Sequence, residues 1–256
     1  MLGNEIRKIV LEQSRRANVG HIGSALSVAD MIAALYSGPL NLADRTSERD
    51  RFVLSKGHAA LALYAALNLR GLLSDSELNA FCTDGTPIGV HPESAHPAID
   101  FSTGSLGHGL SLGVGSALAA RMERATRRTF VLMSDAECNE GSVWEAALFA
   151  GHHRLSNLTA LIDANGQQAL GYTRDVLDTE PLADKWASFG WDAVVVDGHS
   201  FPALSAALTE GRDARPRVLI CKTVFGKGVT FMERQIRWHY LPMSDFDYTT
   251  ATKEVG

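Results

Sequence analysis

Cysteine is scarce in this sequence. Only Cys82, Cys138 and Cys221 occur, an odd number at wide spacing with no Cys-x-x-Cys pair. That excludes a disulfide framework and a cysteine zinc site, and it fits a reducing cytoplasm. Long apolar runs are missing too, since nothing approaches the ~18–20 uninterrupted apolar residues of a membrane span. The opening Met1-Leu2-Gly3-Asn4-Glu5-Ile6-Arg7-Lys8 carries charge where a secretory signal needs an apolar core. A basic excess is absent: 24 Lys and Arg stand against 29 Asp and Glu, for a net charge of −5. Without a dominant positive face, nucleic acid is not an expected partner, and neither is a membrane. No linker rich in Pro, Gly or Ser divides the chain, and no segment repeats.

What is present is ordinary globular material. The 256 residues are 45% hydrophobic and 21% charged, enough for a sizeable core. Short β-branched runs bounded by turn residues read as buried parallel strands at 52–54, 129–133, 158–162, 193–196 and 217–220. Helical patterns lie between them at 4–17, 24–36, 58–70, 107–123, 141–153, 180–188 and 201–211. Ser74-Asp75-Ser76-Glu77 adds the start signal of a short capped helix. Alternation of this kind predicts one α/β domain over 1–256, a parallel sheet with helices on both faces, and an irregular tail after about 225. Ligands of such sheets collect at the carboxyl ends of the strands, so the loops there matter most. Glycine, 23 residues in all, clusters in several of them.

After Val131-Leu132-Met133 comes Ser134-Asp135-Ala136-Glu137-Cys138-Asn139-Glu140-Gly141, followed by Trp144-Glu145-Ala146. After Leu161-Ile162 comes Asp163-Ala164-Asn165-Gly166-Gln167. Each segment sets a hard oxygen donor, Asp135 or Asn165, at a strand end. One carboxylate and one amide oxygen are too few to cage Mg²⁺, but they suit a site that phosphate oxygens and water complete. Taken singly, Asp135 is equally a helix cap and Asn165 a turn residue. Their joint placement, with Glu140-Gly141 and Trp144-Glu145-Ala146, resembles the thiamine-diphosphate signature of the transketolase family. Within that family it is most similar to split transketolases, whose amino-terminal half is a separate polypeptide. The resemblance implies a thiamine-diphosphate-binding fold of the diphosphate-binding type. Its cofactors would be thiamine diphosphate and Mg²⁺, or Ca²⁺ or Mn²⁺. Asp135 and Asn165 would bind the metal through side chains and Gln167 through its backbone carbonyl. Ala136 and Glu137 would lie against the cofactor, and Glu140 at the subunit contact beside it. Ser134 and Ala136 depart from the family pattern, which has glycines there, and the Ala136 Cβ narrows the approach of a phosphate to its N–H.

Nine histidines are present, several beside glycine. Asn18-Val19-Gly20-His21-Ile22-Gly23, Ser55-Lys56-Gly57-His58, Gly89-Val90-His91-Pro92, Thr103-Gly104-Ser105-Leu106-Gly107-His108-Gly109 and Arg237-Trp238-His239-Tyr240 follow one another in the transketolase order. A lone loop histidine is usually a turn or surface residue, and a glycine loop names no ligand. The resemblance implies that His21, His58 and His91 line the cofactor and substrate channel as catalytic residues together with Glu140. It places His58 and His239 on the cofactor, His239 at the diphosphate, and Gly104, Ser105 and Leu106 at the aminopyrimidine. His108 stands where many relatives have glutamine and inherits no role. His152 and His153 read as structural, and Lys222 and Lys227 as part of a basic exit loop.

The resemblance further implies ketol transfer, in which a two-carbon unit moves from a ketose or ketose phosphate to an aldehyde. In the family, the glutamate that activates the aminopyrimidine comes from a pyrimidine-binding domain, and this chain ends about where that domain would begin. A carboxy-terminal transketolase-like partner is therefore expected, in a heterotetramer with two copies of each chain. Three alternatives remain at this stage. They are the α subunit of a 2-oxo acid dehydrogenase or a decarboxylase, a degenerate non-catalytic chain that only binds cofactor, and an unrelated Mg²⁺-dependent phosphohydrolase.

Overall fold

Short strands buried on both faces need apolar residues at every position, and the runs at the centre of this chain have them. The computed structural model describes residues 3–42, 48–211 and 213–256. In chain order the strands are β1 (Arg51–Leu54), β2 (Thr129–Ser134), β3 (Leu158–Ala164), β4 (Gln167–Gln168), β5 (Gly171–Tyr172), β6 (Asp192–Asp197) and β7 (Arg217–Lys222). Five of them form one parallel sheet in the order β1-β2-β3-β7-β6, while β4 and β5 make a separate two-stranded hairpin.

The helices are α1 (Gly3–Ala17), α2 (Ile22–Ser37), α3 (Ala60–Leu69), α4 (Asp75–Asn79), α5 (Gly109–Met122), α6 (Gly141–His152), α7 (Thr173–Val176), α8 (Leu182–Ser188), α9 (Phe201–Thr209) and α10 (Asp245–Val255). The period-two alternation of the strands divides the interior into two cores. Phe130 and Leu132 of β2 face a core shared with α1, α2, α3 and α9. Val131 and Met133 face the other, shared with α5, α6 and α8. At about 1.5–3 kcal/mol for each large side chain removed from water, the two cores are the main source of stability. Helix α2 is the buried centre of the first core, and of its residues only Asp30 and Ser37 are not buried.

Three segments differ from what the sequence predicts, the first being 167–176, where β4, β5 and α7 form without being expected. The 107–123 pattern becomes helical only at Gly109, so that Gly104–His108 stays an open loop. The stretch after 225, expected to be irregular, carries a 3₁₀ turn (Ile236–His239) and then α10. Ser244 and Asp247 form a capping box at the start of that helix, and Arg15 of α1 pairs with Asp245. Helix α10 packs on α1, and this tertiary contact compensates for its polar, Thr-rich composition.

The parallel register brings the carboxyl ends of β1, β2, β3 and β7 to one edge. Leu54 pairs with Leu132, Ser134 with Asp163, and Asp163 with Cys221. The loops singled out in the sequence, apart from 89–93 and 237–240, either leave this edge or enter a helix beside it.

Candidate functional site

A cavity of about 200 Å³ opens at this edge, lined among others by Lys56, His58, Leu106, Ala136, Glu140, Asn165, Phe225 and His239. His21, His58 and His239 meet beside it. Their ring centroids lie 5.6 Å apart for His21–His58, 5.2 Å for His21–His239 and 5.3 Å for His58–His239. The local backbone explains the convergence. His21 precedes α2 with a left-handed φ of 60°, and its N–H donates to the His239 carbonyl at 3.3 Å. Gly20 allows this, since a Cβ there would sit 2.3 Å from the Tyr240 carbonyl oxygen.

The three imidazoles are weaker bases than a free one. Burial lowers the His58 pKa well below the ordinary value, and the Lys56 charge and the other histidines lower it further. Burial and then His91 lower that of His21. His239 is lowered to about 4 by burial, with His21 and Lys56 adding to the effect. All three are neutral at pH 7 and so can accept protons rather than repel one another. His91 stands farther out, in an open groove of about 670 Å³ with Gly104, Ser105 and His108. A side chain at Gly104 would press on the His91 ring at 3.2 Å, and φ there is +152°. The groove therefore needs glycine at this position.

Asp135 and Asn165 occupy adjacent strand ends, joined through the N–H of Gly166, which donates to Asp135 Oδ2 at 2.8 Å. Asn165 Oδ1 accepts the Gln167 N–H at 2.9 Å. Asn165 lines both the histidine-lined cavity and a neighbouring one of about 360 Å³, whereas Asp135 faces the second. Burial and the nearby Asp163 push the Asp135 carboxyl up to about 7. Such a carboxylate is short of positive charge. Four buried polar atoms beside the site, His21 Nδ1, Asn139 Oδ1, Gln167 Oε1 and Gln168 Nε2, find no hydrogen-bond partner among the described residues. An under-compensated carboxylate and unused polar atoms fit a divalent cation with a phosphate-bearing ligand.

Two expected contacts are arranged differently. Ala136 lines the cavity, but its N–H donates to Asp135 Oδ1 at 2.8 Å. Glu137 does not line the cavity. It is fully buried, accepting hydrogen bonds from Ser55 Oγ, from the Gly107 N–H at 2.8 Å and from the Ser134 N–H at 3.3 Å. Burial raises its pKa against those donors. Glu137 ties together the end of β1, the glycine loop and the end of β2, so it braces the site from below. Lys222 and Lys227 are taken up by Glu180 at 2.6 Å and Glu233 at 3.7 Å. His152 and His153 meet edge to face near the end of α6, away from the cavity.

Lys56 and Asp163 carry no role expected from the sequence. They form a fully buried ion pair under the cavity, and Asp163 also accepts hydrogen bonds from Ser27 Oγ at 2.7 Å and Asn165 Nδ2 at 2.9 Å. The pair fixes the Asn165 amide with its oxygen toward Gln167. A lysine set between a strand end and Gly57-His58 was the available signal.

Comparisons with known proteins identify the family. Residues 1–256 match the family described as transketolase, thiamine diphosphate binding domain. The 6-deoxy-6-sulfo-D-fructose transketolase subunit SqwG of Clostridium sp. (strain MSTE9) is 38% identical over 98% of this chain and 94% of its own. An apulose-4-phosphate transketolase subunit of Phocaeicola vulgatus is 38% identical over 98% of this chain and 91% of its own. Among solved structures, transketolase from Campylobacter jejuni superposes with a TM-score of 0.94 at 27% identity. It covers 99% of this chain, which in turn spans 42% of that one.

Proposed function

The chain belongs to the transketolase family, and on that premise we propose that it is the diphosphate-binding subunit of a two-component transketolase. Such an enzyme moves a two-carbon ketol unit from a ketose or ketose phosphate to an aldehyde. The observation that carries this reading is the meeting of His21, His58 and His239 beside a cavity that Asn165 also lines, next to the under-compensated Asp135. Two relatives matched over nearly their whole length are themselves called subunits. A carboxy-terminal partner carrying the pyrimidine-binding domain is the counterpart this reading requires, in a heterotetramer with two copies of each chain.

In this reading Asp135 and Asn165 would hold Mg²⁺ through side-chain oxygens and Gln167 through its carbonyl. His239 would face the diphosphate, with Leu106 and Gly104 toward the aminopyrimidine. Thiamine diphosphate, when bound, supplies a carbanion equivalent at its thiazolium carbon for addition to a ketose carbonyl. The chain's own part is orientation and proton handling. Neutral His21 and His58 can take a proton from a substrate hydroxyl, and lowered pKa values make them quick to return it. His91, at the open groove, would receive the hydroxylated substrate, and Glu140, exposed on the rim, would meet the partner. Neutral hydrogen-bonding groups suit a sugar better than a 2-oxo acid, whose carboxylate calls for a fixed cation.

Calorimetric titration of the chain with thiamine diphosphate and Mg²⁺ tests the reading. Binding should require the cation and fall at least 100-fold in Asp135→Asn. Equal binding without cation, or none at all in the presence of the partner, would reject it.

A further inference from the structure

Asp30 is a carboxylate in the middle of α2, and the proposed chemistry gives it no task. Two side chains from elsewhere in the chain converge on it. Arg7 of α1 donates through Nη1 at 3.1 Å and through Nη2 at 2.5 Å. The His199 imidazole meets Asp30 Oδ2 through Nδ1 at 2.8 Å. Burial alone would raise the Asp30 pKa, but the hydrogen bonds from His199 and Arg7 outweigh it and hold the group ionised. An ionised carboxylate on Nδ1 keeps the imidazole proton there, which leaves Nε2 as an acceptor. That nitrogen receives the Val224 N–H at 2.8 Å. Arg7 also donates through Nε to the Lys227 carbonyl at 3.0 Å.

Both ends of the Val224–Lys227 turn are thus tied to one half-buried carboxylate. Between them Phe225 is buried against Gly23, where a Cβ would lie 2.1 Å from the ring. The Phe225 ring stacks on His239, with centroids 6.3 Å apart and planes 19° apart. We propose that Asp30, His199 and Arg7 form a clamp that positions Phe225 and, through it, the His239 imidazole. The clamp touches no ligand, and its consequence for binding rests on the reading of His239 as a diphosphate contact. Joining α1 to α2 needs only Arg7 and Asp30. The hydrogen bond from Val224 to His199 does something further, because it fixes the turn that forms the cavity wall.

The test compares His199→Leu with His199→Gln, whose amide can both donate to Asp30 and accept from Val224. Amide hydrogen exchange of the unliganded full chain is read at Val224–Gly228 and at His239–Leu241, beside the thermal unfolding midpoint. Thiamine diphosphate affinity with Mg²⁺ is then measured by calorimetry. In His199→Leu, exchange at both segments should quicken at least tenfold and affinity should weaken about tenfold. His199→Gln should restore most of both. Wild-type protection of Val224 in His199→Leu would overturn the clamp, as would faster exchange at Val224 with no change at His239 or in affinity. A wild-type chain that binds no thiamine diphosphate would count against the cofactor reading alone, and the exchange at the two segments would still decide the clamp.

Discussion

A carboxylate with backbone N–H donors on both oxygens is ordinarily an easy acid, yet Asp135 titrates near 7. Burial opposes its charge, and the fully buried Asp163 adds a second negative charge nearby. His239 shows the reverse imbalance. Its folded pKa of about 4 lies below the 6.5 of a free imidazole, so the unfolded chain binds more protons between those values. Stability is therefore full above about pH 6.5 and is lost as pH falls toward about 4. Because the ring is partly solvated, the loss amounts to only about 1–2 kcal/mol. Urea unfolding between pH 4 and 7.5 should show a shallower acid decline in His239→Asn. Glu137 makes a third case. Its removal in Glu137→Ala leaves three donors unpaired, two of them backbone N–H groups at the site loops, and should cost about 3–5 kcal/mol in the same assay. At this scale the sequence discloses residues that sit in recognisable strings, such as Gly57-His58 or Asp135 with Asn165. It does not disclose Lys56 with Asp163 or Asp30 with His199. Those pairs are more than a hundred residues apart, and only the folded sheet brings them together.

Helices show which glycines the fold needs. Gly23 in α2 lies against Phe225 with no space for a methyl group, while Gly115 in α5 is exposed with nothing within 4 Å. Gly115→Ala should raise stability by up to ~1 kcal/mol, the usual helix-propensity gain. Gly23→Ala has the same intrinsic gain, but it must push the Phe225 ring aside, so a net loss of about 1–3 kcal/mol is expected. Thermal unfolding of the two variants side by side checks the contrast. The five parallel strands are legible because buried strands are apolar at nearly every position. Helix α10 is less so, since its apolar positions are few and its stability comes from packing on α1. Its start signal, Ser244 followed by Asp247, was nonetheless present in the sequence, as was the equivalent Ser74 and Glu77 of α4.

At the scale of the whole molecule, the site is built along one edge of the sheet and is open on one side. The groove of His91, Gly104 and Ser105 contains no carboxylate among its lining residues. Ketol transfer by this family needs such a group at the aminopyrimidine, which a pyrimidine-binding partner would supply by closing over the groove. Sedimentation of the two chains together should give a species containing two copies of each. The direct test is an assay of ketol transfer from a ketose phosphate to an aldehyde by this chain alone, by the pyrimidine-binding partner alone, and by the two mixed. Activity should appear only in the mixture, with thiamine diphosphate and a divalent cation present. Robust transfer by the lone chain, or none by a mixture in which both chains are folded and associated, would contradict the account.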